Sequence, residues 1–220
     1  MAAEHPLRDA AVDVLGGTPT ALERPPVDPV VFVLPPAIAR RVTAFDKTVD
    51  VWFDRLRGDP VADRVLYGAS AVGDFSLIWH VAGAGRALGG GRREREGVRL
   101  AVALGIESVL VNGIVKTWFR RARPDHQPHL VRKLRQPRTS SFPSGHATSG
   151  FLAATLLGAG RPPATRLAWY AAAGVIAASR IHVKIHHASD VVAGAAIGVG
   201  MGVAVKRLWR IGNAGRARGY

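Results

Sequence analysis

Lys and Arg are missing from the centres of five apolar stretches, at about 65–88, 98–115, 146–160, 166–179 and 190–205, and crowd into the connections between them. Arg92, Arg93, Arg95 and Arg99 gather around the start of the second stretch, and Lys206, Arg207 and Arg210 follow the fifth. Such a pattern predicts an all-α fold, a multi-span membrane bundle of about five transmembrane helices. Length alone does not carry this reading, because a bilayer core asks for about 20 apolar residues. Several stretches are shorter, and Asp74, His80 and Glu107 interrupt two of them, so a soluble helical bundle is the rival. Gly194, Gly198 and Gly202 favour the membrane: repeating every fourth residue, they form the small face that lets membrane helices approach closely.

The chain has 220 residues, which suits one domain. Residues 1–36 carry Pro25, Pro26, Pro29, Pro35 and Pro36 without periodicity and read as an extended arm. No basic start leading into an apolar run follows Met1 to His5, so membrane insertion is expected to use internal segments. Val42, Phe45, Val49, Trp52 and Leu56 then recur at spacings of three and four while Asp46, Lys47, Asp50, Asp54 and Arg55 take other positions, the pattern of an amphipathic helix lying on a membrane or packed on its own protein. The single membrane-embedded domain is expected to run from 37 to 210, with a basic tail at 211–220.

Lys+Arg total 30 against 16 Asp+Glu, a net charge of +14 that suits a nucleic acid, an acidic lipid surface or a phosphorylated substrate without ranking them. Cysteine is absent, which excludes disulfides, thiolate metal sites and a cysteine nucleophile. Three clusters at the ends of apolar stretches carry groups suited to holding and cleaving a phosphate. In the first, Lys116 and Arg123 stand seven residues apart, about two helical turns, and read as two cations on one face. In the second, Pro143-Ser144-Gly145-His146 precedes the third stretch, where a helix N-terminus offers backbone N–H groups, Ser144 a hydroxyl and His146 a titratable ring. The third contains Arg180, His182, His186, His187 and Asp190. If it is helical, His186 and Asp190 face each other, so the carboxylate orients one ring nitrogen and leaves the other as a nucleophile. His182 and His186 are also four apart and could ligate a metal, although no His-Glu-x-x-His pattern accompanies them.

Taken in order, these clusters read K-x6-R-P at 116–124, P-S-G-H at 143–146 and S-R-x5-H-x3-D at 179–190. The set resembles the three-part signature of the type 2 phosphatidic acid phosphatase and vanadium haloperoxidase superfamily. The resemblance implies that Lys116, Arg123 and Arg180, with Ser144 and the Gly145 backbone, hold the phosphoryl oxygens. It implies that His186 attacks phosphorus, His146 protonates the departing alkoxide and then activates water, and Asp190 orients His186. It further implies a lipid phosphate substrate among membrane lipids, with no metal, no cofactor and no nucleic acid. His182 and His187 miss the signature spacing and are expected to be structural; His126 and His129 are expected in a solvated loop.

If all five stretches span, the clusters share one membrane face. The connections at 86–99, 161–166 and 206–220 then share the other, with 12 Lys+Arg against two acidic residues. The positive-inside tendency makes that second side cytoplasmic and puts catalysis on the outer face of the cell membrane. The compact layout is similar to small actinobacterial members associated with polyprenyl-linked phosphates, including decaprenylphosphoryl phosphoribose. Phosphatidic acid, phosphatidylglycerophosphate and undecaprenyl diphosphate are the alternative substrates; a vanadate-dependent haloperoxidase and a noncatalytic membrane binding protein are the alternative functions.

Overall fold

Pro35 and Pro36 start a helix whose first turn needs no proline N–H, and most of the described residues after it are helical. The computed structural model describes residues 34–124 and 139–211. Most of the expected arm, the loop with His126 and His129, and the tail beyond 211 lie outside the described residues. Seven α-helices are found among the described residues: α1 (Pro36–Asp54), α2 (Pro60–Val72), α3 (Leu77–Ala87), α4 (Gly91–Trp118), α5 (Gly145–Leu157), α6 (Pro163–His182) and α7 (Ala188–Leu208). Asp59 starts α2 by accepting from the backbone N–H groups of Val61 and Ala62 at 3.0 and 2.8 Å, with Pro60 in the first turn.

Helix α5 is the axis of the bundle. Ala147, Leu152, Ala153 and Ala154 are fully buried, and α4, α6 and α7 pack around the helix. The edge of α7 formed by Gly194, Gly198 and Gly202 meets it. A Cβ on Gly198 would lie 2.2 Å from the Thr148 carbonyl oxygen, and one on Gly194 would lie 2.6 Å from that of Ser144. The four-residue glycine repeat is therefore a contact surface between two backbones. Trp79, Leu100, Leu104, Leu152 and Ile176 fill the core between α3, α4, α5 and α6.

Among the described residues two helices, α4 and α7, are long and apolar enough to cross a membrane. The first expected stretch is not one straight helix: α2 and α3 meet at a 60° bend and amount to a third span only if taken together. The break is a short 3-10 turn, Asp74–Ser76, in which Phe75 and Ser76 have φ of 53° and 57°. Helix α5 rises only about 20 Å, short of the roughly 30 Å hydrocarbon core, and is enclosed by its neighbours. Outward-facing apolar side chains run down α4 at Val98, Val102, Ile106 and Val109. An exposed apolar stripe on a helix of this length is a lipid-facing surface.

The amphipathic helix α1 packs on its own protein through part of the expected stripe, with Val49, and Leu56 just beyond the helix, against the core beside Phe53. Ala39, Asp46 and Phe53 are buried, whereas Phe45 and Trp52 of the apolar pattern are exposed. A carboxylate takes the central inward position because it has a buried cationic partner, described below.

The glycine contact makes a prediction. Gly198→Val sets a side chain against an immovable backbone oxygen and should cost about 1–3 kcal/mol. Gly200→Val, on the open side of the same helix, should cost little. Thermal unfolding of the two variants in detergent checks the difference.

Candidate active site

The three signature clusters converge on one cavity of about 890 Å³, lined by Lys116, Arg123, Gly145, His146, Arg180 and His186 together with Asp74, His80, Glu107 and Asn112. Lys116 arrives there through a π-helical segment, Val109–Val115, in the last part of α4. The wider turn re-aims the end of the helix, and Lys116 Nζ comes within 3.7 Å of where a Cβ on Gly145 would stand.

Arg123 reaches the cavity by another route than the expected helical face. Helix α4 stops at Trp118, and Phe119 is extended at φ −108°, ψ 124°. The strand-like segment that follows carries Arg123 across the site, where Nη1 donates to the Ile185 carbonyl at 2.9 Å and Nη2 to those of Thr139 and Ser140 at 3.1 and 3.2 Å. Pro124 contributes locally, since a residue before proline is pushed out of the α region. Arg180 is buried in the last turn of α6, where a cation also meets the favourable end of the helix dipole. Its Nη1 donates to Ser70 Oγ.

His186 lies in the turn between α6 and α7 and not on a helix with Asp190. The N–H groups of Ile185 and His186 both donate to the Arg180 carbonyl at 3.1 Å, and Lys184 turns the chain with φ 52°. Two carboxylates brace this turn. Asp50 accepts from Lys184 Nζ at 2.9 Å and from Arg57 Nη2 at 2.7 Å, while Asp63 contacts His182 Nε2 at 2.7 Å. Arg57 also donates to the carbonyls of Ile181 and His182 at 2.8 Å each. Burial raises the Asp50 carboxyl, but its hydrogen bonds and charges from Lys184 and Arg57 outweigh that and leave it below its ordinary value. His182 is thus engaged away from the cavity, and its ring packs edge-on against Phe53 and Tyr67.

Asp190 is in the first turn of α7, fully buried, and its Oδ2 caps that helix by accepting from the His187 backbone N–H at 2.9 Å. The same oxygen accepts from Ser141 Oγ and stands 3.6 Å from His186 Nδ1. His186 Nε2 faces the other way, 3.5 Å from Arg123 Nη1. Burial, reinforced by the nearby charges of Arg123 and Arg180 and only partly offset by Asp190, holds the His186 imidazole down to about 3. The ring is neutral at pH 7, with a lone pair available for attack. Ser144 is fully buried as the N-cap of α5, and Gly145 opens the helix. His146 follows beside the cavity.

Arg121 was not singled out by the signature spacing. It is buried and bridges two carboxylates, donating from Nη1 to Asp190 Oδ1 at 2.6 Å and from Nη2 to Asp46 Oδ2 at 2.7 Å. Ser189 completes the link: its backbone N–H donates to Asp46 at 2.7 Å and its hydroxyl accepts from Arg121 at 2.6 Å. Asp74, His80 and Glu107, which weaken the apolar stretches in sequence, all turn toward the cavity. Intramembrane ionisable residues belong where they escape lipid.

Fold and site together define a membrane-type helical bundle with a polar cavity lined by three cations, three imidazoles and the carboxyl groups of Asp74 and Glu107. Residues 96–212 match the PAP2 superfamily, and the chain belongs to that superfamily. The decaprenylphosphoryl-5-phosphoribose phosphatase of Mycobacterium tuberculosis (strain ATCC 25618 / H37Rv) is 34% identical over 140 residues, covering 63% of this chain and 75% of that protein. The protein of the same name from Mycolicibacterium smegmatis is 34% identical over 138 residues, covering 59% and 71%. Among solved structures, Aquifex aeolicus LpxE superposes with a TM-score of 0.57 at 25% identity, over 71% of this chain and 93% of that one. A transmembrane PAP2-type phosphatidylglycerolphosphate phosphatase from Bacillus subtilis shares the fold with a TM-score of 0.59 at 22% identity, over 76% and 86%.

Arg121→Ala should leave two buried carboxylates without their cation and destabilise the protein by about 3–5 kcal/mol, read from unfolding in detergent. The suppressed ionisation of His186 gives a pH signature. Below the ordinary histidine value of about 6.5, the unfolded chain takes up a proton that the folded site refuses until about pH 3. Stability is therefore lost as pH falls through that window. His186→Gln should flatten the decline in melting temperature across it.

Proposed function

We propose that the protein is a metal-independent membrane lipid phosphatase acting through a phosphohistidine on His186. The observation that carries this reading is a buried imidazole whose Nε2 stands 3.5 Å from Arg123 in a cavity that Lys116, Arg180 and the His146 imidazole also line. Lys116, Arg123 and Arg180, with Ser144 and the Gly145 N–H, bind the equatorial phosphoryl oxygens, where charge is spread in the transition state. His186 Nε2 attacks phosphorus, the ester P–O bond breaks, and His146 gives its proton to the leaving oxygen. Water then attacks the phosphohistidine and passes a proton to His146; the P–N bond breaks and inorganic phosphate departs. Asp190 orients His186 and stabilises the positive charge that attack creates.

The substrate is a phosphorylated lipid, with a polyprenyl-linked phosphate such as decaprenylphosphoryl 5-phosphoribose the leading choice. The mycobacterial relatives named for that activity support it. A cavity that opens among apolar helices suits a head group attached to a tail that stays in lipid. All five sequence stretches contribute to the membrane-embedded bundle in this reading, α2 and α3 as one bent crossing. The catalytic end faces outward, supported by the basic residues Arg92, Arg99, Arg161, Lys206 and Arg210 gathered at the opposite end.

The test is phosphate release by the detergent-purified full chain from a panel of lipid phosphates in excess chelator. The decaprenylphosphoryl phosphoribose substrate should be the best of the panel, and His186→Gln should lower turnover at least about 1,000-fold. Undiminished activity in that variant, or strict dependence on an added divalent metal, would overturn the mechanism.

A further inference from the structure

We propose that Asp74 is the positioning residue of the general acid, forming with His146 a second imidazole–carboxylate pair beside that of His186 and Asp190. The proposal rests on the phosphatase mechanism above and adds a residue that none of the three signature clusters contains. Asp74 Oδ1 lies 3.1 Å from His146 Nε2 and 3.9 Å from Arg180 Nη1. The two atoms stand within hydrogen-bond distance, but the contact is not a well-formed hydrogen bond, the loose state in which acid–base contacts often stand before substrate tightens them.

The backbone is built around this contact. Asp74 opens the turn that breaks the α2–α3 pair, followed by Phe75 and Ser76 in the left-handed region. That conformation is a true outlier for a bulky residue such as Phe75, whose side chain is 85% exposed at the edge of the cavity. Strain of this kind persists where the surrounding structure imposes it and clusters at functional sites. Gly73 supplies the other half. A Cβ there would stand 2.6 Å from His146 Cδ2 and 2.7 Å from Ile176 Cγ2. The end of α2 can press against the Nε2 edge of the ring only because that residue has no side chain.

The pairing has a chemical consequence. With Nε2–H held by Asp74, Nδ1 is the nitrogen left for the leaving oxygen. In the first step Nδ1–H goes to that oxygen as the P–O bond breaks, and the neutral ring keeps its proton on Nε2. Nδ1, now bare, accepts the proton of the attacking water as the P–N bond breaks. The carboxylate thereby fixes one tautomer through both steps, so that one nitrogen serves as acid and then as base.

Leaving-group dependence tests this, because an alkoxide needs a proton to depart and p-nitrophenolate does not. The value to compare is kcat/KM, which excludes the later hydrolysis of the phosphohistidine. Asp74→Asn should lower kcat/KM for an alkyl lipid phosphate by about 10- to 100-fold, a share of what a general acid contributes, and for p-nitrophenyl phosphate by less than about threefold. Asp74→Glu should recover much of the alkyl phosphate rate, and Asp74→Asn should cost nothing further in a His146→Gln background. Equal losses on both substrates, no loss, or a full additional loss in that background would overturn the proposal. If Asp74→Asn does not melt like the parent in detergent, Asp74→Ser is judged by the same substrate ratio. Should His186→Gln retain activity, the phosphohistidine reading fails instead, so the two failures are separable.

Discussion

The buried Asp190 carboxylate is the joint on which the site hangs. Its two oxygens take Arg121, Ser141 and the His187 backbone, with His186 close by. Each partner comes from a different piece of chain, so one fully buried anion ties the segment after α4, the loop before α5 and the start of α7 together. Arg121 extends the tie to Asp46 on α1. A lone buried carboxylate would be costly, and a lone buried guanidinium equally so. In combination they are satisfied only when all four segments are docked, which couples assembly of the bundle to the placement of His186.

The same economy of polar groups explains the interior of the membrane-type helices. The π-helical segment of α4 and the strained turn between α2 and α3 are departures from regular helix, and both border the cavity. Irregular backbone and ionisable side chains are tolerated at membrane depth where they line a protected pocket. By contrast, the outer side of α4 is regular and apolar. The inner side holds Leu100, Ala103, Leu104 and Glu107, so one helix serves lipid, core and cavity.

Much of the cavity's lining could be read from residue order, because its cations and imidazoles stand at recognisable spacings. What spacing misjudged was the scaffold. Lys116 and Arg123 do meet at one cavity, but through a helix end and an extended segment, since the helix stops before Arg123. His186 and Asp190 do approach each other, but through a turn and a cap. Arg121 and Asp46 passed unnoticed because a charged residue on a helix or in a basic run is ordinarily solvated, and nothing local marks the one whose partner comes from a distant segment. For the same reason α1 buries Asp46 while exposing Phe45 and Trp52.

The apolar stretches with charges swept to their ends, the four-residue glycine repeat and the three phosphate-handling clusters belong to the sequence, because each depends on neighbours within a turn or two of one helix. They determine an all-helical, membrane-type bundle, the close α5–α7 contact and the residues that collect in the pocket. Tertiary structure decided which polar residues of the apolar stretches face the cavity, where the first stretch bends, and which of the many arginines holds Asp190. Those outcomes turn on burial and on charge pairing between residues as far apart as Arg121 and its partners Asp46 and Asp190, and only the folded chain brings such partners into a medium where their charges count.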